Sequence, residues 1–413
     1  MVKVLILTVT AGNAHDACAA GMKRELEKKG NCTVKIINLM DICPNRLNAW
    51  YSTGGYRFAV GKVPAFYDAF YKMYEKRSPY ARYSIPSQGT ILSVIPRFLK
   101  EILKFKPDVV YSTQFYGSVL ITDLKLIYDL PFKSVTSTLD YAICPFWEAG
   151  VGVDYFNIPN EDFIDDCIYK GYKKEQLLPL GVPVDGRTLE KTDKKAVREN
   201  LGLDGNVFTV AVMFGGGLWQ GGYKNFKQLV KALKGRKAQI IMINGRDEKS
   251  FKKINRLEFP EGIKVLNLRY TEDVPLYLSA ADAVVNKAGG ASVTEIVNLG
   301  IPMLVTEKLI MQEKYNLAYM KKKGVALSFK NAKTLKQNIL KLMDDFDARR
   351  EMSENTVALR KDAAGELAHF ILSQPEADYS AFEDKVDLTT AKKQVKQALK
   401  RADKKEKKTG KNQ

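Results

Sequence analysis

The chain has 413 residues, 45% of them hydrophobic, and a formal net charge of +18. This length predicts two or three domains that each bury a core, and the hydrophobic fraction is ordinary for a globular protein. The five cysteines are odd in number and lack zinc-ligand spacing, which indicates reduced thiols in a cytosolic protein. No apolar run approaches the length of a membrane span, and the apolar start is too short for a signal peptide.

The first forty residues predict a β-α-β unit. Residues 2–10 read as a buried strand, 16–29 as a helix that Gly30 ends, and 34–39 as a second strand. Such an opening indicates a parallel, doubly wound sheet, in which ligands bind at the carboxyl ends of the strands.

His15 lies in the loop between that first strand and its helix, and the chain has only one other histidine, His369. A helix N-terminus disfavours a positive imidazole, so we expect His15 to stay neutral and to serve as a general base. A capping or hydrogen-bonding histidine is the alternative. His369 lies beside Phe370 and Ile371, where a structural role is expected.

Residues 50–83 contain eleven aromatic side chains with lysines and arginines among them. Such interleaving fits a segment at a membrane interface, and Phe66, Phe70 and Tyr74 are the residues that we expect to insert there. It also fits base stacking on a nucleic acid, or an ordinary aromatic core layer under a helix pair.

Strands and helices alternate again after residue 92, and residues 180–186 form a linker. The second half repeats the same alternation. The sequence therefore predicts two α/β domains that face a cleft, over 1–183 and 184–347, then a terminal helix over 348–375 and a basic, flexible tail over 376–413.

The segment 286–295 predicts a strand, a glycine loop and a helix. Backbone amides of Gly289 and Gly290 at the start of the helix favour an anion such as a diphosphate. Glu295 follows about one turn later and can accept hydrogen bonds from a ribose. A plain turn capped by Ser292 is the alternative.

Other catalytic signatures are weak or missing. The chain has no Gly-x-Ser-x-Gly elbow and no P-loop ending in Gly-Lys-Ser or Gly-Lys-Thr. Asp345-Phe346-Asp347 matches the Asp-x-Asp of metal-dependent sugar transferases, but its helical surroundings indicate a chance match. We expect no metal and no cofactor, because glycine loops and helix dipoles can take up diphosphate charge.

The last 23 residues carry ten Lys or Arg against Asp403 and Glu406, so they supply +8 of the net charge. Such an excess suits an anionic membrane surface or nucleic acid, and a solvated, frayed tail is the alternative.

Several short segments occur in a characteristic order. They are the loop 8–15, the run 139–147, Gly181-Val182-Pro183-Val184, Gly215-Gly216-Gly217, Gly245-Arg246, Tyr270-Thr271, 286–295, Gln312-Glu313 and Asn316. Together they resemble the monogalactosyldiacylglycerol synthase and processive diacylglycerol glucosyltransferase family, relatives of the peptidoglycan enzyme MurG. The resemblance covers roughly residues 1–375. The chain has Ala14 where the family's first loop has a second Gly, Cys144 where the family has His before Pro, and Met311 where Gly usually precedes Gln-Glu.

The resemblance implies a GT-B fold and an inverting, metal-independent transfer from a UDP-sugar. By it, His15 is the base or lies close to it, and the acceptor side includes Asp140, Tyr141 and Trp147. The residues implied on the nucleotide-sugar side are Gly12, Gly215, Gly216, Gly217, Gly245, Arg246, Tyr270, Gly289, Gly290, Ser292, Glu295, Gln312, Glu313 and Asn316.

The expected function is hexose transfer from UDP-glucose or UDP-galactose to diacylglycerol, by a cytoplasmic enzyme held peripherally at the anionic inner face of the cell membrane. No nucleic-acid partner is expected. The alternatives are a transferase for another lipid or a soluble acceptor, and a non-catalytic protein that binds a nucleotide-sugar or nucleic acid.

Overall fold

The computed structural model describes residues 1–10, 13–75, 87–214 and 221–409. They form two compact units, unit 1 from residues 1–184 and 362–413 and unit 2 from residues 185–361. Each unit contains a six-stranded sheet in which every pair of neighbouring strands is parallel. The α/β architecture predicted from the sequence is confirmed.

The sheet of unit 1 has the strand order β2-β1-β3-β4-β5-β6. Its strands are β1 (Val2–Thr8), β2 (Cys32–Asn38), β3 (Val109–Ser112), β4 (Lys133–Ser137), β5 (Tyr155–Asn157) and β6 (Leu177–Leu178). Strand β1 is central, and its residues Val4 to Leu7 are completely buried because helices cover a parallel sheet on both faces. The strand order reverses between β1 and β3, so this is the switch point where open α/β sheets bind ligands.

The described residues in the first part of unit 1 form seven α-helices. They are α1 (Asn13–Lys29), α2 (Arg46–Trp50), α3 (Tyr56–Lys62), α4 (Pro64–Glu75), α5 (Gln88–Phe105), α6 (Phe115–Leu124) and α7 (Ile164–Tyr169). A π-helical turn, Tyr51–Gly55, joins α2 to α3, and short 3₁₀ turns cover Pro145–Gly150, Glu161–Phe163 and Lys174–Gln176. Helix α5 is amphipathic and buries Ile95, Phe98 and Ile102 on one face.

The sheet of unit 2 has the strand order β12-β11-β10-β7-β8-β9. Its strands are β7 (Thr209–Met213), β8 (Ala238–Ile243), β9 (Ile263–Leu268), β10 (Ala283–Asn286), β11 (Met303–Thr306) and β12 (Ala326–Phe329). After the 3₁₀ turn Gly186–Leu189 come the helices α8 (Lys194–Asn200), α9 (Gly222–Ala232), α10 (Glu248–Ile254), α11 (Val274–Ser279), α12 (Gly290–Asn298), α13 (Met311–Lys322), α14 (Ala332–Asp344) and α15 (Phe346–Ala358). Val212, Phe226 and Ile240 are among the side chains that form its fully buried core.

The end of the chain returns to unit 1 as helices α16 (Ala363–Leu372), α17 (Ser380–Glu383) and α18 (Ala391–Thr409). Helix α18 packs against α5 and α6 and buries Ala391, Val395 and Leu399. The expectation of one terminal helix over 348–375 and a flexible tail over 376–413 was therefore wrong. Apolar residues four apart give α18 a buried stripe, and its many lysines hide this stripe in composition.

The basic residues of α18 remain outside this contact. Lys392, Lys396, Lys400 and Lys404 are all exposed. Among the described residues, no helix combines the length and apolar character that a membrane crossing requires.

Candidate active site

His15 connects two neighbouring strands of unit 1 at their carboxyl ends. It lies in the first turn of α1, just after β1, and its Nδ1 is 2.7 Å from the carbonyl oxygen of Thr113, which follows β3. A carbonyl oxygen only accepts, so Nδ1 carries the proton and Nε2 of the neutral ring carries the lone pair. The structure thus places His15 at the switch point, with one nitrogen able to take up a proton.

The surroundings of His15 keep its ring neutral. Burial lowers the pKa of His15, although the Thr113 carbonyl, Asp140 and Asp16 each act in the opposite direction. Asp16 is itself held by the Thr8 hydroxyl, which donates to Oδ1 over 2.9 Å. A neutral imidazole near pH 7 is the form that a general base needs.

Asp140 and Tyr141 follow β4 and lie on the same edge as His15. Asp140 is close enough to influence the pKa of His15, and the Tyr141 ring lies 6.5 Å from that of Phe163. Burial raises the pKa of the Cys144 thiol to about 12, so the thiol stays protonated at neutral pH. Cys144 therefore cannot supply the base that a histidine could supply there.

Trp147 belongs to the core of unit 1. It is 5% exposed, its ring lies 4.7 Å from that of Phe156, and its carbonyl accepts a 2.9 Å hydrogen bond from the Tyr172 hydroxyl. Trp147 is therefore a core residue, and its expected role on the acceptor side stays a prediction.

In unit 2, the glycine loop leads into a helix with an open N-terminus. Gly289 is the N-cap of α12, and no side chain among the described residues caps it. A Cβ atom placed on Gly289 would meet nothing within 4 Å. Ser292 lies inside the helix, so the alternative of a Ser292 cap is wrong, and the first amides of α12 can receive an anion.

Two contacts from α13 hold this glycine loop. Lys287 pairs with Glu313, and Asn316 Nδ2 donates to the Ala288 carbonyl over 2.8 Å. Glu313 and Asn316 are both buried, while Gln312 lies beside them in the first turn of α13. The sequence placed Glu313 and Asn316 on the nucleotide-sugar side, and the structure brings both against the loop.

Glu295 lies one turn into α12, close enough to Asp185 for the two carboxylates to interact. Burial raises its pKa to about 7, and the negative charge of Asp185 adds to this shift. Glu295 therefore changes its protonation state near neutral pH, which makes it a candidate for a site that hydrogen-bonds a ligand.

Gly245, Arg246 and Tyr270 lie at the ends of β8 and β9. Gly245 has a φ of 58°, the left-handed conformation that glycine adopts without strain. The Arg246 guanidinium lies 5.5 Å from the centre of the Tyr270 ring, which is 52% exposed. The pair offers flat, polarisable surfaces at the same sheet edge as the glycine loop. The predicted residues Gly12, Gly215, Gly216 and Gly217 lie outside the described residues.

The aromatic segment divides into an inner and an outer face. Tyr67 and Tyr71 are buried, and the Tyr74 ring lies 5.2 Å from that of Phe146. Tyr74 is thus only partly exposed, and its insertion into a membrane stays a prediction; the side chain of Phe70 lies outside the described residues. Leu47, Trp50, Phe58, Val63, Phe66 and Met73 have exposed side chains, and we refer to them together as the outer apolar face.

In the part of the chain that the structure describes, no three His, Cys, Asp or Glu side chains are grouped to hold a metal ion. Asp345 caps α15 by accepting from the Ala348 amide over 2.9 Å, and Asp347 pairs with Arg350. These helix contacts account for the Asp-x-Asp match.

Sequence reasoning missed two partners of the predicted site residues. Thr113 lies 98 positions from His15, and Asp185 lies in the linker far from Glu295. A usable signal existed for Thr113 alone, because it follows a predicted strand and strand ends share one edge.

Solved structures support the fold. The chain aligns with MurG of Acinetobacter baumannii at a TM-score of 0.57 and 14% identity, over 90% of this chain and 99% of that one. It aligns with a UDP-GlcNAc 2-epimerase from Neisseria meningitidis at a TM-score of 0.56 and 14% identity, over 91% and 100%. These similarities show the GT-B type of fold.

Similarity in sequence is more specific. Processive diacylglycerol beta-glucosyltransferases of Bacillus licheniformis and Bacillus pumilus are 22% and 23% identical, over 88% and 86% of this chain and 92% and 91% of theirs. The family model for monogalactosyldiacylglycerol (MGDG) synthase matches residues 15–184, and that for the glycosyltransferase family 28 C-terminal domain matches residues 219–368. With one model on each half, the resemblance of the chain to the monogalactosyldiacylglycerol synthase and processive diacylglycerol glucosyltransferase family is confirmed.

Proposed function

We propose that this protein transfers a hexose, glucose or galactose, from a UDP-sugar to the free hydroxyl of diacylglycerol, with inversion at the anomeric carbon. The observation that carries the proposal is the neutral His15, held by Thr113 with a lone pair on Nε2. The relatives named above act on diacylglycerol, which supports the choice of acceptor.

Unit 1 supplies the base in this proposal. His15 Nε2 accepts the proton of the acceptor hydroxyl as its oxygen attacks the anomeric carbon from the face opposite to UDP. The Thr113 carbonyl holds the ring in one tautomer, and the nearby Asp140 stabilises the imidazolium that forms.

Unit 2 supplies the donor site. The open N-terminus of α12 receives the diphosphate, and its amides stabilise the charge that develops on the leaving UDP. Glu295 accepts hydrogen bonds from the ribose hydroxyls, and the Arg246–Tyr270 pair offers a surface on which the uracil ring can stack. This site requires no metal ion.

The outer apolar face and helix α18 hold the protein at the inner face of the cell membrane. Exposed rings such as Phe66 and Trp50 insert at the level of the headgroups, and the lysines of α18 are attracted to anionic lipid. The first contribution is apolar and insensitive to salt, whereas salt screens the second.

The full-length protein incubated with diacylglycerol liposomes and either UDP-glucose or UDP-galactose is expected to form a lipid that carries one added hexose in the β configuration. Mass spectrometry of the extracted lipids and NMR of the anomeric proton measure this. EDTA is expected to leave the rate largely unchanged. Absence of a lipid product with both donors contradicts the proposed function, and full loss in EDTA that Mg²⁺ restores contradicts the metal-free site.

His15→Ala is expected to lower turnover by about two to four orders of magnitude, the usual contribution of a general base. The KM for the UDP-sugar should change little, because His15 lies in unit 1. His369→Ala is the matched control, since His369 is exposed on α16. Near-normal turnover of His15→Ala would remove this residue from the mechanism.

The pH dependence provides a second test of His15. Because burial lowers its pKa below 6.5, kcat should stay level down to pH 6.5 and fall only at lower pH, as the imidazole takes up a proton. An acid limb that lies above pH 6.5 in the wild type disagrees with this assignment.

Glu295→Gln is expected to weaken uridine binding by on the order of 1.5–3 kcal/mol, the contribution of a hydrogen bond to a charged group. Because the pKa of Glu295 is about 7, wild-type affinity should fall as the pH is lowered through 7 and the carboxylate is protonated. Uridine lacks phosphates, so phosphate titration does not contribute. Calorimetry at pH 6 and pH 8 measures both effects, with the exposed Glu258→Gln as control. Equal affinities in wild type and Glu295→Gln would place the ribose elsewhere.

The triple variant Trp50→Ser, Phe58→Ser, Phe66→Ser is expected to bind liposomes about tenfold or more weakly at every salt concentration, because it removes apolar area from the outer face. Replacing Lys392, Lys396 and Lys400 with Gln should weaken binding only at low salt, by up to roughly 1 kcal/mol per residue. Substitution is preferred to truncation of α18, which would uncover buried Val395 and Leu399.

Cosedimentation with anionic liposomes measures the binding, circular dichroism checks the fold, and Phe346→Ser on exposed α15 is the control. If the triple variant stays folded and binds as before, the membrane surface lies elsewhere. Loss of RNA binding in place of lipid binding would favour a nucleic-acid surface.

A further inference from the structure

Three partly buried aromatic rings lie together in unit 1, two of them in segments that follow β3 and β4 at the sheet edge that carries His15. The Phe115 and Phe146 rings are stacked with their centres 5.4 Å apart, and the Tyr74 ring lies 5.2 Å from that of Phe146. We call Tyr74, Phe115 and Phe146 the aromatic wall. All three retain some exposure, so they present ring surface that the core of unit 1 does not cover.

The wall adjoins the proposed base through the chain itself. Phe115 begins α6 two residues after Thr113, whose carbonyl accepts from His15. The Gln114 side chain caps α6 by accepting from the Tyr116 amide over 2.7 Å, and the Ser112 hydroxyl donates to the Gln114 carbonyl over 2.7 Å. This bonded turn fixes Phe115 relative to Thr113.

The same edge holds the other two rings of the wall. Phe146 lies in the turn Pro145–Gly150, where the buried Trp147 anchors it, and its ring lies 6.4 Å from that of Tyr71. The Tyr71 hydroxyl is near both Cys144 and Asp140, and Asp140 is near His15. The inner side of α4 therefore covers the loop that carries Asp140.

Helix α4 also joins the wall to the outer apolar face. Tyr71 and Tyr74 point to Phe146, while Phe66 and Met73 of the same helix are exposed. One helix thus has exposed apolar side chains on one side and, on the other, rings that pack against Phe146. An acceptor with a hydroxyl head and apolar chains matches this arrangement, because its chains suit the rings and its hydroxyl suits the base.

We propose that the aromatic wall of Tyr74, Phe115 and Phe146 contacts the acyl chains of the acceptor along their length, beyond the few carbons next to the glycerol, and thereby selects acceptors with long apolar chains. The inference rests on the proposed function and adds the residues that recognise the lipid. Aromatic rings in a largely preformed site bind alkyl chains with little loss of conformational entropy. The chains lie along the rings while the hydroxyl reaches His15.

The experiment measures the chain-length preference of the full-length protein with dihexanoylglycerol and dioleoylglycerol in mixed micelles of a nonionic detergent. In Phe146→Leu and in Phe115→Leu, the KM for dioleoylglycerol is expected to rise roughly tenfold, as apolar contact is lost. The KM for dihexanoylglycerol, the KM for the UDP-sugar and kcat are each expected to change less than about twofold, since the substitution removes little of the shorter contact.

Two control variants separate the wall from other effects. Phe346→Leu makes the same chemical change on the surface of unit 2 and should leave every constant as in the wild type. Phe66→Ser should weaken liposome binding and leave the chain-length preference in micelles unchanged. A wall that only supports the fold would lower kcat for both lipids alike, which overturns the proposal.

A labelling experiment on the unaltered protein provides a measurement that does not depend on the folding of variants. A diacylglycerol with a photoreactive diazirine in the middle of one acyl chain is expected to label peptides that contain Phe115 or Phe146. Labelling confined to other peptides overturns the proposal that the wall contacts the acyl chains. A rise in the KM for the UDP-sugar in Phe146→Leu overturns it as well. If the wild type is active on both lipids and both variants keep its chain-length preference, the proposal for the wall is overturned and the proposed function stands. A wild type that glycosylates neither lipid overturns the proposed function itself.

Discussion

The common direction of the strands is the constraint on which both halves of the site depend. Every strand pair in the two sheets is parallel, so the loops that follow the strands of one sheet meet at one edge. In unit 1 this brings His15 against Thr113 although 98 positions separate them. In unit 2 it collects the glycine loop, Gly245 and Tyr270 at one edge.

Burial shifts the pKa values of His15 and Glu295, the two main candidate residues, in opposite directions. It lowers the pKa of His15 and raises that of Glu295 to about 7, because in each case it disfavours the charged form. For His15 the result is the neutral base that the proposed reaction requires. For Glu295 it means that hydrogen bonds from a ligand have most to contribute, since they stabilise a carboxylate that burial destabilises.

The sequence allowed prediction of the features that local patterns encode. Apolar runs identified the central strands, the glycines around 289 identified the open helix start, and the linker at Gly181-Val182-Pro183 placed the end of the first segment within two residues of its observed position at 184. Each of these depends on neighbours in the chain. The sequence also located His15, because a loop after a first strand is a local pattern.

Features that depend on packing between distant segments could not be predicted. Trp147 contacts Phe156 and Tyr172, and Tyr74 contacts Phe146. In each case the partner belongs to a different element of the fold. The aromatic run reads the same whether its rings point inward or outward, and the structure has both. The lysines of α18 indicated a loose tail, whereas the helix packs against unit 1 through a stripe of three buried apolar side chains.

The return of the chain to unit 1 has a consequence for the order in which the protein matures during synthesis. Unit 2 is continuous from residue 185 to residue 361, whereas unit 1 needs residues 362–413 as well as 1–184. The late segment is bonded to the early one: the Tyr379 hydroxyl donates to the Pro107 carbonyl over 2.7 Å, and the Ala377 amide donates to Asp108 over 2.9 Å. Because domains fold as their residues emerge, the part made first is the part completed last. Unit 1 therefore stays incomplete until translation has passed through the whole of unit 2. Until then, the surface of α5 and α6 that α18 covers remains exposed.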